Sequence, residues 1–130
     1  MIISSKTYEA TKEYSIQGRY VTHEQITDYL KGMASKFSIE TIGDSVEQRS
    51  IHTVTLGSGS KRILMWSQMH GNESTTTKAV LDLINYFSES NEYASKILDG
   101  FTMKIIPMLN PDGAEAYTRV NANGIDLNRD

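Results

Sequence analysis

The chain of 130 residues contains no cysteine. That excludes a disulfide framework and every thiolate metal site, so a bound metal would have to take nitrogen and oxygen donors. Histidine is scarce too: His23, His52 and His70 are the only three. No apolar run approaches the ~20 residues of a membrane span. The opening MIISSKTYEATKEYS lacks the basic start and apolar core of a secretory leader; with that N-terminus taken as native, the protein is expected in the cytoplasm. There is no excess of positive charge. A formal net charge of -3 and a pI near 5.6 give neither nucleic acid nor an anionic membrane an electrostatic reason to bind. What is present is ordinary for a folded chain. Hydrophobic residues at 38% and charged residues at 22% argue against disorder, and the length suffices for one domain with its own core.

Residues 1–21 read as an irregular lead-in. Thr22 and Gln25 then form a capping-box pattern, and Ile26, Tyr29, Leu30, Met33 and Phe37 recur at helical spacing, which predicts a helix over 23–36. Strands are expected at 38–42 and 49–56, separated by the turn-like GDSVEQ. The run RILMWSQM at 62–69 holds Ile63 to Trp66 unbroken and suits a strand buried on both faces. A helix follows from Ser74 to about Phe87, with Val80, Leu83, Ile84 and Phe87 as its apolar stripe. A shorter helix is expected at 92–98, then a second buried strand at 101–109 with Pro107 near its carboxyl end. Strand, helix, strand at this spacing predicts a parallel pair and an α/β class. Ligands of open α/β sheets sit beyond the carboxyl ends of the strands. His70 follows one such end and Asn110 the next, so the two polar stretches are expected to be neighbours.

The first stretch, HGNE at 70–73, would aim an imidazole and a carboxylate at one point, a donor pair that suits Zn²⁺. The alternative is a polar turn in which Glu73 complements the helix dipole. The second stretch is NPDGAEAYTRVNANGIDLNRD, 110–130. Asn-Pro-Asp-Gly is a turn signal. Arg119, Asp126, Asn128 and Arg129 follow it. One guanidinium there could clamp a carboxylate in bidentate fashion, and the other could stabilise an oxyanion; singly, each is equally readable as a solvated charge.

In combination, HGNE after a strand, then NPDG, then an arginine, then NANGIDLNR resembles the zinc carboxypeptidases of the carboxypeptidase A type, from about residue 20 to the last. The resemblance implies a three-layer αβα fold with a mixed, largely parallel sheet, incomplete in this chain, with 22–130 as the N-terminal part of the catalytic domain. It implies Zn²⁺ as cofactor, with His70 and Glu73 as its first two protein ligands. By the same resemblance, Arg119 is the catalytic residue that polarises the scissile carbonyl and binds substrate. Asn128 and Arg129 would grip the substrate's terminal carboxylate, and Asp126 would orient His70. The implied partner is a peptide or peptide-like substrate with a free carboxylate.

The family's third zinc ligand, general-base glutamate and capping tyrosine lie downstream of the NR motif and have no counterpart here. Neither His23 nor His52 occupies the missing ligand's position. The reading is therefore a metallocarboxypeptidase whose isolated 130 residues are inactive and self-associate. Two alternatives stand beside it: an acyl-amino-acid deacylase of the aspartoacylase-like branch, and a non-catalytic module that binds carboxylates. Asp112-Gly113 after Asn110-Pro111, and the spaced NANG, favour the peptidase branch, which includes cell-wall peptidases.

Overall fold

The computed structural model describes residues 4–129. Chain order is α1 (Ser5–Thr11), α2 (His23–Met33), β1 (Ser38–Asp44), β2 (Ser50–Leu56), β3 (Lys61–Trp66), α3 (Thr75–Ser88), α4 (Glu92–Gly100), β4 (Phe101–Ile106) and α5 (Pro111–Ala116). Three elements have clear local causes. The α2 helix starts where Thr22 and Gln25 complete the reciprocal capping box. The Asn91 side chain caps α4 through the Ala94 amide. Asn110 caps α5 through the Gly113 amide, with Pro111 at the first helical position.

Two local expectations change. The lead-in is not wholly irregular, because Ser4 caps the seven-residue α1; residues 1–3 lie outside the described residues. Asn-Pro-Asp-Gly is not a free turn but the first turn of α5. The asparagine side chain that makes a turn attractive serves equally as a helix cap, and Pro111 needs no N–H there.

The four strands lie in the order β1-β2-β4-β3. The expected parallel pair is β3/β4, in register from Lys61↔Phe101 to Trp66↔Ile106. The β1/β2 and β2/β4 ladders are antiparallel. The sheet is thus mixed, as expected, with one parallel ladder among the three of the described residues. Val54, Leu56, Met103 and Ile105 face one side. There they join Ile26 and Leu30 of α2, Leu81 and Ile84 of α3, and Ala94 of α4 in a single core.

The opposite side has no helical cover among the described residues. Leu64 is 60% exposed and Trp66 47% exposed, and Arg62, Thr102 and Lys104 stand beside them. The expectation that β3 is buried on both faces is therefore overturned. It is an edge strand with one open face, and among the described residues helices cover only the other face, in keeping with a three-layer fold that is incomplete in this chain. An apolar run identifies a strand that is built to be covered; it cannot say that the cover lies within the same 126 residues.

At the carboxyl end of β4, Asp112 ties α5 to the β1–β2 turn. Its carboxylate, 3% exposed, accepts from Ser45 Oγ at 2.7 Å, the Glu47 amide at 3.1 Å and Arg49 at 2.6 Å. Burial pushes the Asp112 carboxyl up, but these donors outweigh it and the net displacement is downward. A depressed carboxylate contributes stability above its unfolded value, near pH 4, and that contribution is lost as pH falls through the folded value. Arg49→Gln removes one of the lowering donors. Its acid-unfolding midpoint is expected at higher pH than that of the parent chain, and its stability near neutrality, where the Asp112 carboxylate is charged, is expected to be lower. Equal acid midpoints would show that Arg49 is only a surface charge.

The open face of β3 generates a second expectation. An unpaired edge with exposed Leu64 and Trp66 recruits other chains. Light scattering on the purified chain should report more than a monomer, and association should shield Trp66, the only tryptophan, from iodide quenching. A monodisperse monomer with a freely quenched Trp66 would show that the face is stable in water as it stands.

Candidate metal centre

The chain leaves β3 through a sharp turn. Gln68 adopts φ +49°, in the left-handed region, and directs the backbone out of the sheet toward His70. The Gly71–Asn72 turn that follows is closed by the Glu73 amide donating to the His70 carbonyl at 3.0 Å. Glycine is required at position 71 because backbone packs on backbone. A Cβ there would lie 1.8 Å from the Gly113 carbonyl carbon and 2.3 Å from the Ala114 nitrogen. The turn is pinned to α5 on both flanks, by Asn110 Nδ2 donating to the Met69 carbonyl at 3.1 Å and by the Asn72 amide donating to the Thr118 carbonyl at 3.1 Å. The two polar stretches are thus neighbours, as the strand ends imply.

The NANG segment folds back through its own first asparagine, whose Oδ1 accepts from the Asn123 and Ile125 amides. This delivers Asp126 to His70. The His70 Nε2–H donates to Asp126 Oδ1 at 3.0 Å, and His70 Nδ1 lies 3.2 Å from Glu73 Oε2. Arg119 closes the group. Its Nε donates to Asp126 Oδ2 at 2.8 Å and its Nη1 to Glu73 Oε1 at 3.3 Å. The Asn128 amide, then Arg119 and His70, hold the Asp126 carboxyl at about 2, against a raising contribution from burial. Asp126 is therefore a carboxylate at all ordinary pH values and an obligate acceptor, which places the ring proton of His70 on Nε2.

With Nε2 protonated, the Nδ1 lone pair of a neutral His70 faces the Glu73 carboxylate. Two acceptors at 3.2 Å are held stably only by a proton or a cation between them. Two ligands of a tetrahedral site with bonds of about 2.0–2.1 Å stand roughly 3.3 Å apart. The donor chemistry and the spacing both fit Zn²⁺, and Asp126 stands where a carboxylate supporting a metal-bound imidazole would stand. The described residues contain no cluster of three or more metal-ligating side chains, so they supply at most two protein ligands to such an ion.

A cleft of about 230 Å³ opens over this pair, lined by Trp66, Met69, His70, Glu73, Thr76 and Asn128. A larger open groove, about 580 Å³, lies at the other end of the helices between Lys36, Phe87 and Glu92 and holds no histidine. Of the residues singled out in the sequence, His70, Glu73, Arg119, Asp126 and Asn128 come together. The Arg129 side chain is exposed and forms no ion pair with another described residue, so it is not drawn into the group. His23 and His52 are remote from it. They stack on each other with centroids 6.2 Å apart, and His23 is spent on the Ser50 carbonyl.

A model of the family described as zinc carboxypeptidase matches residues 23–130. The chain belongs to the zinc carboxypeptidase family. It is 29% identical over 134 residues to mouse carboxypeptidase M, covering 85% of this chain and 30% of that protein. It is 29% identical to mouse cytosolic carboxypeptidase 6, covering 83% and 22%. Among solved structures, the metallo-carboxypeptidase of Burkholderia cenocepacia superimposes with a TM-score of 0.78 at 27% identity, over 85% of this chain and 32% of that one. The chain thus spans about a third of the length, or less, of these relatives. Among the described residues, no helix of this zinc carboxypeptidase domain is long and apolar enough to cross a membrane.

Sequence reasoning missed the residues that hold this turn. Gln68, Thr77 and Ser67 are buried polar side chains. The visible signal was the abrupt change from apolar to polar at Ser67-Gln68, directly before HGNE. The Gly71 contact yields a prediction. Gly71→Ala is expected to destabilise at the upper end of the about 1–3 kcal/mol typical of overpacking. Gly32→Ala, where nothing lies within 4 Å of the added Cβ, should instead stabilise α2 by roughly 0.5–1 kcal/mol. Denaturant melts of the two variants check this; a neutral Gly71→Ala would show that α5 moves freely relative to the turn.

Proposed function

We propose that this chain carries the first two zinc ligands and the carboxylate-handling residues of a metallocarboxypeptidase that hydrolyses a peptide bond next to a free C-terminal carboxylate. One observation carries the reading: His70 sits between two carboxylates, one on each ring nitrogen, in a turn at the carboxyl end of a parallel strand. Asp126 holds the outer nitrogen, which leaves Nδ1 and Glu73 Oε2 as the metal-facing pair. Bound there, zinc would supply a Lewis acid that lowers the pKa of a coordinated water.

The chain's own residues do the rest of what is assigned here. Arg119 neutralises Glu73 and Asp126 with two of its N–H groups and keeps others for the oxygen of a scissile carbonyl. Developing charge there is worth more in a closed, dry cleft than in water. Asn128 lines the cleft over His70 and Glu73 and, with the exposed Arg129, would hold a terminal carboxylate. The third metal ligand and the base that takes a water proton are assigned to chain outside these 130 residues. The relatives reported above are carboxypeptidases by name, which supports the peptidase over the deacylase branch.

Calorimetric zinc titration of the 130-residue chain should therefore show weak one-to-one binding, lost in His70→Ala. Tight binding would mean that a third ligand already lies within the chain. In a protein extended to the length of the relatives, Arg119→Ala should leave the zinc content intact and lower kcat by ~10²–10³, the usual cost of removing one oxyanion donor. An unchanged kcat would show that Arg119 serves only its two carboxylates.

A further inference from the structure

Two residues before His70, the backbone takes a conformation that its side chain does not favour. Gln68 is not glycine, asparagine or aspartate, yet it sits at φ +49°, a region sparsely occupied by other residues. Such strain persists only where the surroundings over-determine it. Here they do. The Gln68 side chain is 2% exposed. Its Nε2 donates to the Gly71 carbonyl at 2.8 Å and, at 3.5 Å, to the Val21 carbonyl. Its Oε1 accepts from Thr77 Oγ1 at 2.7 Å, and its own carbonyl accepts the Asn110 amide at 3.1 Å. Thr77 is fully buried on the first turns of α3 and also takes a 3.3 Å contact from Ser67 Oγ.

These bonds span the metal-facing pair. Gly71 lies directly after His70, and Thr77 lies one helical turn beyond Glu73. A single buried amide therefore fixes the separation between the end of β3, the turn and the start of α3, and with it the 3.2 Å spacing of His70 Nδ1 and Glu73 Oε2. An amide is the group suited to this position. It must donate to a carbonyl with one end and accept from a hydroxyl with the other, which neither a carboxylate nor an alkyl chain can do.

We propose that the side chain of Gln68, braced by Thr77, is a positioning residue that presets the His70–Glu73 pair for its metal. The inference rests on the metal reading of that pair, and its test has one readout that needs no metal. Gln68→Gly removes the amide while relieving the backbone strain. Thr77→Val removes the brace, and Thr77→Ser restores it. Hydrogen exchange of the Asn72 amide, bonded to the Thr118 carbonyl, and of the Glu73 amide, bonded to the His70 carbonyl, is compared with that of the Ile105 amide in the core, all in the full chain. Zinc affinity is measured in the same variants by competition with a weak chromophoric chelator.

Exchange at Asn72 and Glu73 should accelerate at least tenfold in Gln68→Gly and Thr77→Val with Ile105 unchanged. Zinc affinity should fall by about 10–100-fold, the usual effect of losing an outer-shell partner, and Thr77→Ser should recover both. Should Gln68→Gly fail to fold, Thr77→Val decides. Turn exchange equal to the parent's, or acceleration shared equally by Ile105, would overturn the proposal. Selective loosening in a chain whose parent binds no zinc would uphold the positioning role and overturn the metal reading instead.

Discussion

Everything at the candidate centre depends on one close approach: the backbone of Gly71 lies against that of Gly113, with no room for a single carbon between them. The approach brings the turn after β3 onto the first turn of α5. It is held by hydrogen bonds from Asn110 and Asn72 rather than by apolar packing. Once the two backbones touch, the segment after α5 must pass over His70, and Asp126 and Arg119 arrive there together. The site is thus assembled from residues more than fifty positions apart by a contact that involves no functional side chain at all.

The charges at the centre follow from that assembly. One imidazole stands between two carboxylates, and one guanidinium reaches both of them. The two carboxylates are not equivalent. Asp126 takes an amide, a guanidinium and a ring N–H and is fixed as an acceptor. Glu73 is more exposed and, among the described residues, meets only the second Arg119 N–H and the bare side of the ring. The asymmetry separates an orienting carboxylate from a ligand-like one, and it follows from hydrogen-bond counting alone.

Much of this was legible in the sequence. The capping box at Thr22 and Gln25, the helical stripe of Val80, Ile84 and Phe87, and the parallel pair of apolar strands all rest on local periodicity and capping chemistry, and they stand. His70, Glu73 and Asp126 were singled out because their spacing matches a known pattern, and the structure brings the three side chains together. What was not legible is non-local. The open face at Leu64 and Trp66 is invisible in an apolar run, since the run reports burial demanded, not burial supplied. The role of Gln68 was hidden because a glutamine in a left-handed conformation has no propensity signature. Asn-Pro-Asp-Gly misled because an asparagine side chain closes a turn and starts a helix with the same hydrogen bond.

On this geometry Nδ1 of His70, and not Nε2, would face a metal beside Glu73. Anomalous diffraction at the zinc edge, from crystals of the protein extended to the length of its relatives and grown with zinc, tests it most directly. One peak is expected at about 2.0–2.2 Å from both His70 Nδ1 and a Glu73 oxygen, with the Asp126 carboxylate still hydrogen-bonded to Nε2. A peak on Nε2 with Asp126 displaced, or a peak at the His23–His52 pair and none at His70, would contradict it.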